Sequence, residues 1–305
     1  MGKEAEVRLS YNSLIHPGRP DITLLWPNKR FISWARETGY QGVEFLPLRG
    51  AARDILKMPV QIISSLPEIK TGHVVYNPYA TLWSVVKREP DPLRPGTKLA
   101  LYNIGMADPE VGKKALHRLE EAFATFPVVT YPYTQNGLRP YGEYRELWLQ
   151  THPAVFNDTS DTAYLIRLIK RGEYDGVVWD TFHALEETQW GSRPLANWRT
   201  DLARLLEVGA IREIHVQAAR ATEKYGKVPD LEWAKDLTGT NPNYNNELGQ
   251  MIKLVKSFDV DIPFVVEISP QGLFNTGILK PSTILRTTGD LQNIHREIID
   301  YIKRV

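Results

Sequence analysis

Residues 176–183 read Gly-Val-Val-Trp-Asp-Thr-Phe-His, a short run of small and apolar residues that changes abruptly to polar side chains. An apolar run without alternation is typical of a strand that is covered on both faces, as in a parallel sheet wrapped by helices. A similar run, Pro-Phe-Val-Val, begins at Pro263. These runs favour an α/β fold built on a parallel sheet.

Short apolar runs of this kind recur along the 305 residues, separated by polar or Gly/Pro-containing loops and longer segments. There are eight, at residues 7–11, 42–46, 69–76, 127–131, 147–151, 176–180, 213–217 and 263–269. The segments between them carry helical spacing. Phe31, Trp34 and Ala35, for example, share one face between Pro27 and Gly39, a proline start and a glycine stop. Eight strands alternating with helices predict a (β/α)8 TIM barrel.

Two connections depart from this regular alternation. Residues 78–108 form a Pro-rich insertion containing Arg-Glu-Pro-Asp-Pro-Leu-Arg-Pro-Gly, which we interpret as an exposed loop with a short helix. A plain solvated connection is favoured there over a substrate lid. The connection from Tyr131 to Leu147 is too short for a full helix with its loops, so we expect an irregular strand or helix. Neither place indicates a domain boundary, and we predict one domain over residues 1–305.

The composition excludes several classes of protein. Lys plus Arg number 37 against 36 Asp plus Glu, which leaves no basic footprint for nucleic acid. No apolar run approaches the roughly eighteen residues that a membrane span requires. The first ten residues also lack the apolar core of a signal peptide, so we expect a cytoplasmic protein. Because there is no cysteine, any metal must be held by His, Asp, Glu or amide oxygen.

In such a barrel the reactive groups stand at the carboxyl ends of the strands. Polar residues that end or closely follow the predicted strands are Glu44, His73, Gln150, His152, Asp180, His183, His215 and Glu267. Each taken alone is explained by a helix cap, an ion pair or a hydrogen-bonded core histidine. Together they converge on one opening of the barrel, where the cost of burying charge favours a compensating cation.

The predicted ligand set is mixed in its chemistry. Asp180, His215 and Glu267, with the amide oxygen of Gln150, would form a shell of nitrogen and oxygen ligands. Such a shell suits one divalent ion, Mn²⁺, Mg²⁺, Co²⁺ or Zn²⁺.

Four stretches of the sequence resemble those of a known family. Residues 39–45 (Gly-Tyr-Gln-Gly-Val-Glu-Phe), 176–183, 214–217 (Ile-His-Val-Gln) and 264–268 (Phe-Val-Val-Glu-Ile) resemble the xylose isomerase-like TIM barrel superfamily. That superfamily contains sugar isomerases and epimerases, inosose dehydratases and apurinic endonucleases. The resemblance is clearest over residues 39–49 and 147–270, and the Asp-x-x-His after the sixth run is its most specific element.

The resemblance implies roles for individual residues. The epimerases of the superfamily hold their metal with a Glu on strand five, an Asp, a His and a Glu; the last three are matched by Asp180, His215 and Glu267. Gln150 stands where the first Glu is expected. The resemblance assigns His183 to substrate contact or protonation, so that Glu267 and His183 are the predicted catalytic residues. The predicted substrate-binding residues are Glu44, His73, His152, Trp190, which would stack on a sugar face, and Arg220.

Because Gln150 stands where the resemblance expects a glutamate, fewer reactions are predicted for this site. Two-base epimerisation needs carboxylates on both faces of a carbon beside a carbonyl, and an amide cannot accept the proton. Reactions that need a single base, which would be Glu267, are still compatible with the sequence. They are aldose–ketose isomerisation and loss of water beside a ketone. We therefore predict a metal-dependent isomerase, epimerase or dehydratase-like enzyme acting on a small sugar or polyol, with a homo-oligomer possible.

Two other functions remain open. The barrel could have lost its metal and serve as a small-molecule binding protein, which the Gln150 change permits. It could also be a phosphodiesterase like the endonucleases, whose strand-three histidine His73 resembles. That branch uses three zinc ions, and the sequence lacks a histidine on the fourth run, a glutamate on the fifth and an Asp-x-His after the seventh, so we place it last.

Overall fold

The structure is a computed structural model of the chain. It describes residues 4–11, 28–74, 90–91, 94–98, 108–130, 144–151, 161–181, 184, 197–216, 242–267 and 288–305. Within these residues no helix combines the length and the apolar character needed to cross a membrane.

Eight parallel strands close into a barrel in which each strand pairs with its neighbours along the sequence. They are β1 (Val7–Ser10), β2 (Gly42–Phe45), β3 (Ile69–Val74), β4 (Val128–Thr130), β5 (Leu147–Gln150), β6 (Gly176–Asp180), β7 (Ile211–Val216) and β8 (Phe264–Val266). The barrel closes because β1 pairs with both β2 and β8. The predicted (β/α)8 TIM barrel is therefore confirmed.

Helices lie between the strands in the chain. They are α1 (Asn28–Thr38), α2 (Arg49–Lys57), α3 (Val60–Ile63), α4 (Pro109–Ala122), α5 (Asp161–Lys170), α6 (Trp198–Glu207), α7 (Pro242–Ser257) and α8 (Thr288–Arg304). Helix α4 begins with Asp108 as its N-cap, whose side chain accepts a hydrogen bond from the Glu110 amide, and with a proline at its first position. Helices α1 and α6 end just before Gly39 and Gly209, which adopt positive φ angles that glycine enters at low cost.

All eight predicted runs contain a strand, but some boundaries differ. Strand β7 begins at Ile211, two residues before the predicted start, because Ile211 pairs with Val177 of β6. Inside the Pro-rich insertion, Pro90–Asp91 and Arg94–Lys98 form a two-stranded antiparallel sheet. The short helix expected in that insertion, and the irregular connection expected between Tyr131 and Leu147, fall largely outside the described residues.

The main apolar core lies between the barrel and its helices. It is closely packed where α4 crosses β3, as Gly72 shows. A Cβ atom added to Gly72 would lie 2.6 Å from a Leu116 side-chain atom and 2.9 Å from Phe126. Any larger residue at this position would push the helix away from the strand.

The inner face of the barrel is different in character. A small apolar cluster of Val129, Trp148 and Val178 lies apart from the main core, and strand register places all three on the inner face. Much of the remaining described inner face is polar, with buried Ser10, Glu44, Thr71, His73, Gln150, Asp180, Glu213 and His215. The same strands therefore present apolar residues outward and a largely polar set inward.

Candidate metal centre at the carboxyl ends of the strands

Six of the predicted site residues are described, and all six lie at the carboxyl ends of strands. Gln150 and Asp180 are the last residues of β5 and β6, Glu44 and His73 stand one before the ends of β2 and β3, His215 stands one before the end of β7, and Glu267 follows β8. Each is at most 1% exposed.

Contacts between strands that are not neighbours show that these side chains meet inside the barrel. Glu44 Oε2 of β2 lies 3.1 Å from His215 Nε2 of β7, although β1 and β8 separate those strands in the sheet. The rings of His73 and His215 lie 5.5 Å apart between centroids. The side chains of His73 and His215, which come from opposite sides of the barrel, therefore extend into the same part of its interior.

One compact group of potential ligands contains three of the four residues expected to hold a metal. Asp180, His215 and Glu267 each offer one ligand atom, and these atoms lie within 4.8 Å of one another. His215 Nδ1 is 2.9 Å from Glu267 Oε2. The structure thus brings together carboxylates and an imidazole from β6, β7 and the end of β8.

Gln150, the fourth expected ligand, contacts the same group through its amide. Its Nε2 donates a hydrogen bond to Asp180 Oδ2 at 2.6 Å. This bond fixes the amide orientation, since the opposite orientation would place two acceptor oxygens together. The Gln150 Oε1 atom is buried and has no hydrogen-bond partner among the described residues. A buried carbonyl oxygen left in this way is available to a ligand.

A second group shares His215 with the first. Glu44, His73 and His215 also offer ligand atoms within 4.8 Å of one another. Glu44 Oε1 accepts a hydrogen bond from Ser10 Oγ at 2.7 Å and lies 3.4 Å from His73 Nδ1. Glu44 and His73, expected to contact substrate, therefore lie beside the expected metal ligands.

Mutual attraction shifts the pKa values of this cluster. Burial acts to lower the pKa of His215, but Glu44 and hydrogen bonds to Glu213 and Glu267 outweigh burial and raise it well above its usual value. Burial acts to raise the pKa of Glu44, but His215 and His73 hold it well below its usual range. In Glu267 the bond to His215 likewise overcomes burial and lowers the pKa. In this structure His215 is the positive partner of two carboxylates that favour ionisation.

Sequence reasoning missed three residues that complete the cluster. Glu213 Oε1 lies 3.0 Å from His215 Nε2, and Arg8 Nη1 donates to Glu213 Oε2 at 3.1 Å. Thr151 Oγ1 accepts a hydrogen bond from the Asp180 backbone amide at 2.9 Å. Strand periodicity could have found Glu213, because residues two apart in a strand share a face. No local sequence pattern indicates that Arg8 is the partner of Glu213.

Four predicted site residues lie outside the described residues: His152, His183, Trp190 and Arg220. The catalytic role predicted for His183, and the substrate-binding roles predicted for the other three, stay predictions.

Comparison with solved structures agrees with the fold. The IolI protein, solved with a bound zinc atom, is similar to this chain with a TM-score of 0.51 and 12% identity, over 98% of each chain. A xylose isomerase domain-containing protein from Salmonella typhimurium LT2 gives 0.46 and 14%, over 96% of this chain and 95% of that one. A sugar phosphate isomerase/epimerase from Parabacteroides distasonis gives 0.44 and 11%, over 98% and 93%.

The likeness to the IolI protein supports the class of fold. The chain shares a closed barrel of eight parallel strands with that protein, as its alternating strands and helices predicted. At such low identity the likeness shows a shared fold alone. No family model and no curated protein matches the sequence.

Proposed function

We propose that this protein is a divalent-cation-dependent enzyme of the sugar isomerase or epimerase kind, acting on a small sugar or polyol. The observation that carries the proposal is the group formed by Asp180, His215 and Glu267, whose ligand atoms lie within 4.8 Å of one another. These residues are buried at the end of the barrel where enzymes of this architecture carry out their chemistry. The zinc atom bound in the IolI structure adds support for a cation.

The charge of the barrel interior fits a cation. Among the described residues, four buried carboxylates face inward: Glu44, Asp180, Glu213 and Glu267. Arg8 forms an ion pair with one of them, and buried carboxylates are costly unless positive charge compensates them. The orphaned Gln150 Oε1 adds a neutral oxygen donor. Nitrogen and oxygen donors of this kind suit Mn²⁺, Mg²⁺, Co²⁺ or Zn²⁺. Such an ion would act as a Lewis acid on a carbonyl or hydroxyl oxygen.

Within this proposal Glu267 is the base. Its carboxylate would take the proton from the carbon beside a carbonyl, the C–H electron pair would form the C=C bond, and the carbonyl π pair would move onto its oxygen. That oxygen would take a proton from the predicted acid His183, which gives an enediol. The same carboxyl would return the proton to the former carbonyl carbon, while the other enediol hydroxyl becomes the new carbonyl and gives its proton back to His183. The sequence interconverts an aldose and a ketose. Gln150 lies on the Asp180 side of the cluster and cannot act as a second base. Loss of water beside a ketone, a lyase reaction, uses the same first step.

The substrate-binding roles complete the proposal. Glu44 and His73 adjoin the ligand group and would accept or donate hydrogen bonds to sugar hydroxyls. His152, His183, Trp190 and Arg220 keep the roles proposed for them from the sequence, with His183 binding or protonating a substrate oxygen.

A second candidate function is supported by one observation. Both ring nitrogens of His215 contact carboxylates, Glu267 at 2.9 Å and Glu213 at 3.0 Å. A protonated imidazole compensates part of the buried negative charge without any metal ion. The barrel could then be a metal-free protein that binds a small molecule through its polar interior.

Metal content distinguishes the two candidates. The full chain is dialysed against Mn²⁺, Co²⁺ or Zn²⁺ and its bound ion is counted by elemental analysis. The enzyme proposal expects about one ion per chain in the wild type and in Glu207→Ala, a variant of an exposed carboxylate, and loss of that ion in Glu267→Ala. No ion at millimolar concentration favours the binding protein, and three zinc ions would favour the phosphodiesterase.

The reaction is tested by hydrogen exchange. The metal-loaded protein is incubated in D₂O with a panel of small ketoses and aldoses, and NMR detects deuterium beside the carbonyl. Exchange in the wild type that is abolished in Glu267→Gln is expected. A protein that binds one ion but exchanges no C–H proton on any ketose would contradict the isomerase reaction.

A further inference from the structure

The inner face contains a buried carboxylate that neither the predicted ligand set nor the predicted base includes. Glu213 of β7 is fully buried and lies two residues before His215 on the same strand. Its two oxygens have separate partners, His215 Nε2 at 3.0 Å and Arg8 Nη1 at 3.1 Å. Because both oxygens are engaged, the Glu213 carboxylate is held in one place.

Arg8 is itself held from two sides. Its Nε donates to Glu6 Oε1 at 2.9 Å, while its Nη1 donates to Glu213 Oε2 at 3.1 Å. The side chain of Arg8 is 13% exposed. β1 and β7 are not neighbours in the sheet, since β8 lies between them. The ion pair between Arg8 and Glu213 therefore connects β1 and β7, two residues before His215 on β7.

We propose that Glu213, clamped by Arg8, is the positioning residue that orients the His215 ring, so that Nε2 is held by Glu213 and Nδ1 faces Glu267. An imidazole that binds a metal through one nitrogen commonly donates its other N–H to a carboxylate, which fixes the ring and raises its basicity as a ligand. The Glu213–His215 contact has this arrangement. The functional consequence rests on the proposed cation site, whereas the orientation of the ring does not.

Glu44 is the competing partner for the same nitrogen. Its Oε2 lies 3.1 Å from His215 Nε2, but Glu44 comes from β2 and its other oxygen accepts from Ser10. Glu213 is on the same strand as His215, and the clamp by Arg8 leaves it one available oxygen, the one that meets Nε2. The alternative arrangement places a cation on Nε2 with Glu44 and His73, the second ligand group.

The test follows the two nitrogens of His215 separately. The full chain is labelled with ¹⁵N-histidine, and His215→Gln assigns the resonance among the seven histidines. Spectra are recorded without metal and with Zn²⁺, together with Co²⁺ affinity by competition. We expect a slowly exchanging Nε2–H in both states and ligation at Nδ1. Glu213→Gln is expected to speed exchange of that proton and to weaken Co²⁺ binding by about ten- to a hundredfold, the usual cost of losing such a partner.

Two further variants make the result decisive. Glu6→Gln removes the charge of the partly exposed partner of Arg8 but keeps an oxygen that accepts from Arg8 Nε, so it is expected to leave both readouts unchanged. Arg8→Lys keeps the positive charge but loses the fork, and is expected to shift both readouts in the direction of Glu213→Gln by less. It also provides the answer if Glu213→Gln does not fold.

The proposal is overturned by either of two results. One is a Glu213→Gln protein with unchanged Nε2–H exchange and a Co²⁺ affinity within about twofold of wild type, against the larger loss expected. The other is zinc on Nε2. If the wild type binds no cation, the proposed function fails on its own account, and Nε2–H exchange in the metal-free protein still decides whether Glu213 orients the ring.

Discussion

The outer and inner faces of the barrel strands differ in the chemistry of their side chains. Outward-facing residues such as Trp179 and Leu149 belong to the large apolar core under the helices. Their neighbours Asp180 and Gln150 point inward, where Val129, Trp148 and Val178 form only a small apolar cluster. Adjacent residues of one strand therefore have different roles. Those on the outer face pack in the apolar core, and those on the inner face contribute charged and polar groups to the candidate site.

The largest effect should come from the outer face. Trp179 is fully buried, so Trp179→Ala removes a large apolar side chain and leaves a cavity. We expect the free energy of unfolding to fall by about 3–5 kcal/mol, measured by urea denaturation. The Co²⁺ affinity of the folded protein should be unchanged. A loss below about 1 kcal/mol would show that this face is not the core that the burial of Trp179 indicates.

The next residue along β6 should show the opposite behaviour. Asp180→Asn keeps the size of the side chain and its ability to accept from Gln150, but removes one negative ligand. Cation affinity should fall by about a hundredfold, the upper end of what is lost with an outer partner of a ligand. The metal-free free energy of unfolding should change by less than about 1 kcal/mol, because a buried charge is also removed. An Asp180→Asn protein that binds Co²⁺ as tightly as wild type would exclude Asp180 as a ligand.

The sequence predicted the strands better than it predicted the interior. Unbroken runs such as Gly-Val-Val-Trp report burial on both faces, and burial is a property of each segment on its own. The convergence of Asp180, His215 and Glu267 followed from the rule that parallel strands end at one rim. The Arg8–Glu213 pair did not follow, because its two residues are 205 positions apart in the chain and meet only through the way the closed barrel is filled. The small sheet inside the Pro-rich insertion was also missed, since prolines weaken a strand signal.

A smaller effect should come from restoring a carboxylate at Gln150. In Gln150→Glu an oxygen replaces the Nε2 group that lies 2.6 Å from Asp180 Oδ2, so two carboxylates would repel. We expect the metal-free protein to lose about 1–3 kcal/mol of unfolding free energy, the cost of losing a charged hydrogen bond. Saturating Mn²⁺ should recover that loss, because the third carboxylate becomes a ligand. Urea denaturation with and without Mn²⁺ measures both.

Gln150→Met is the matched control for this substitution. It removes the same hydrogen bond to Asp180 without adding charge, so Mn²⁺ should not rescue it beyond the wild type's own response. Equal rescue of the Glu and Met variants would mean that residue 150 does not contact the cation. The Glu variant should also be the one to gain exchange of substrate protons on both faces of the carbon, since it offers a second base.

The smallest expected effect, taken per unit of pH, separates two buried histidines by the sign of their pH dependence. Inner-face His215 has its pKa raised by Glu44, Glu213 and Glu267 despite burial. Its stabilising contribution is therefore present in full below the unfolded pKa of about 6.5 and is lost as pH rises through the folded value. His295, on α8, bonds to the Tyr40 hydroxyl, and burial lowers its pKa to about 3. Its contribution is present above about 6.5 and is lost as pH falls toward 3.

Unfolding free energies of the metal-free protein from pH 4 to 9, measured with a chelator present, resolve the two histidines. Each histidine can contribute a slope of at most about 1.4 kcal/mol per pH unit. His215→Gln should flatten the decline above about pH 6.5, and His295→Gln should flatten the decline below it. If His215→Gln instead flattened the acid side, the imidazole would be neutral in the folded protein. The inner carboxylates would then lack the positive partner that we assign to them, and the need for a cation at Asp180 and Glu267 would be greater.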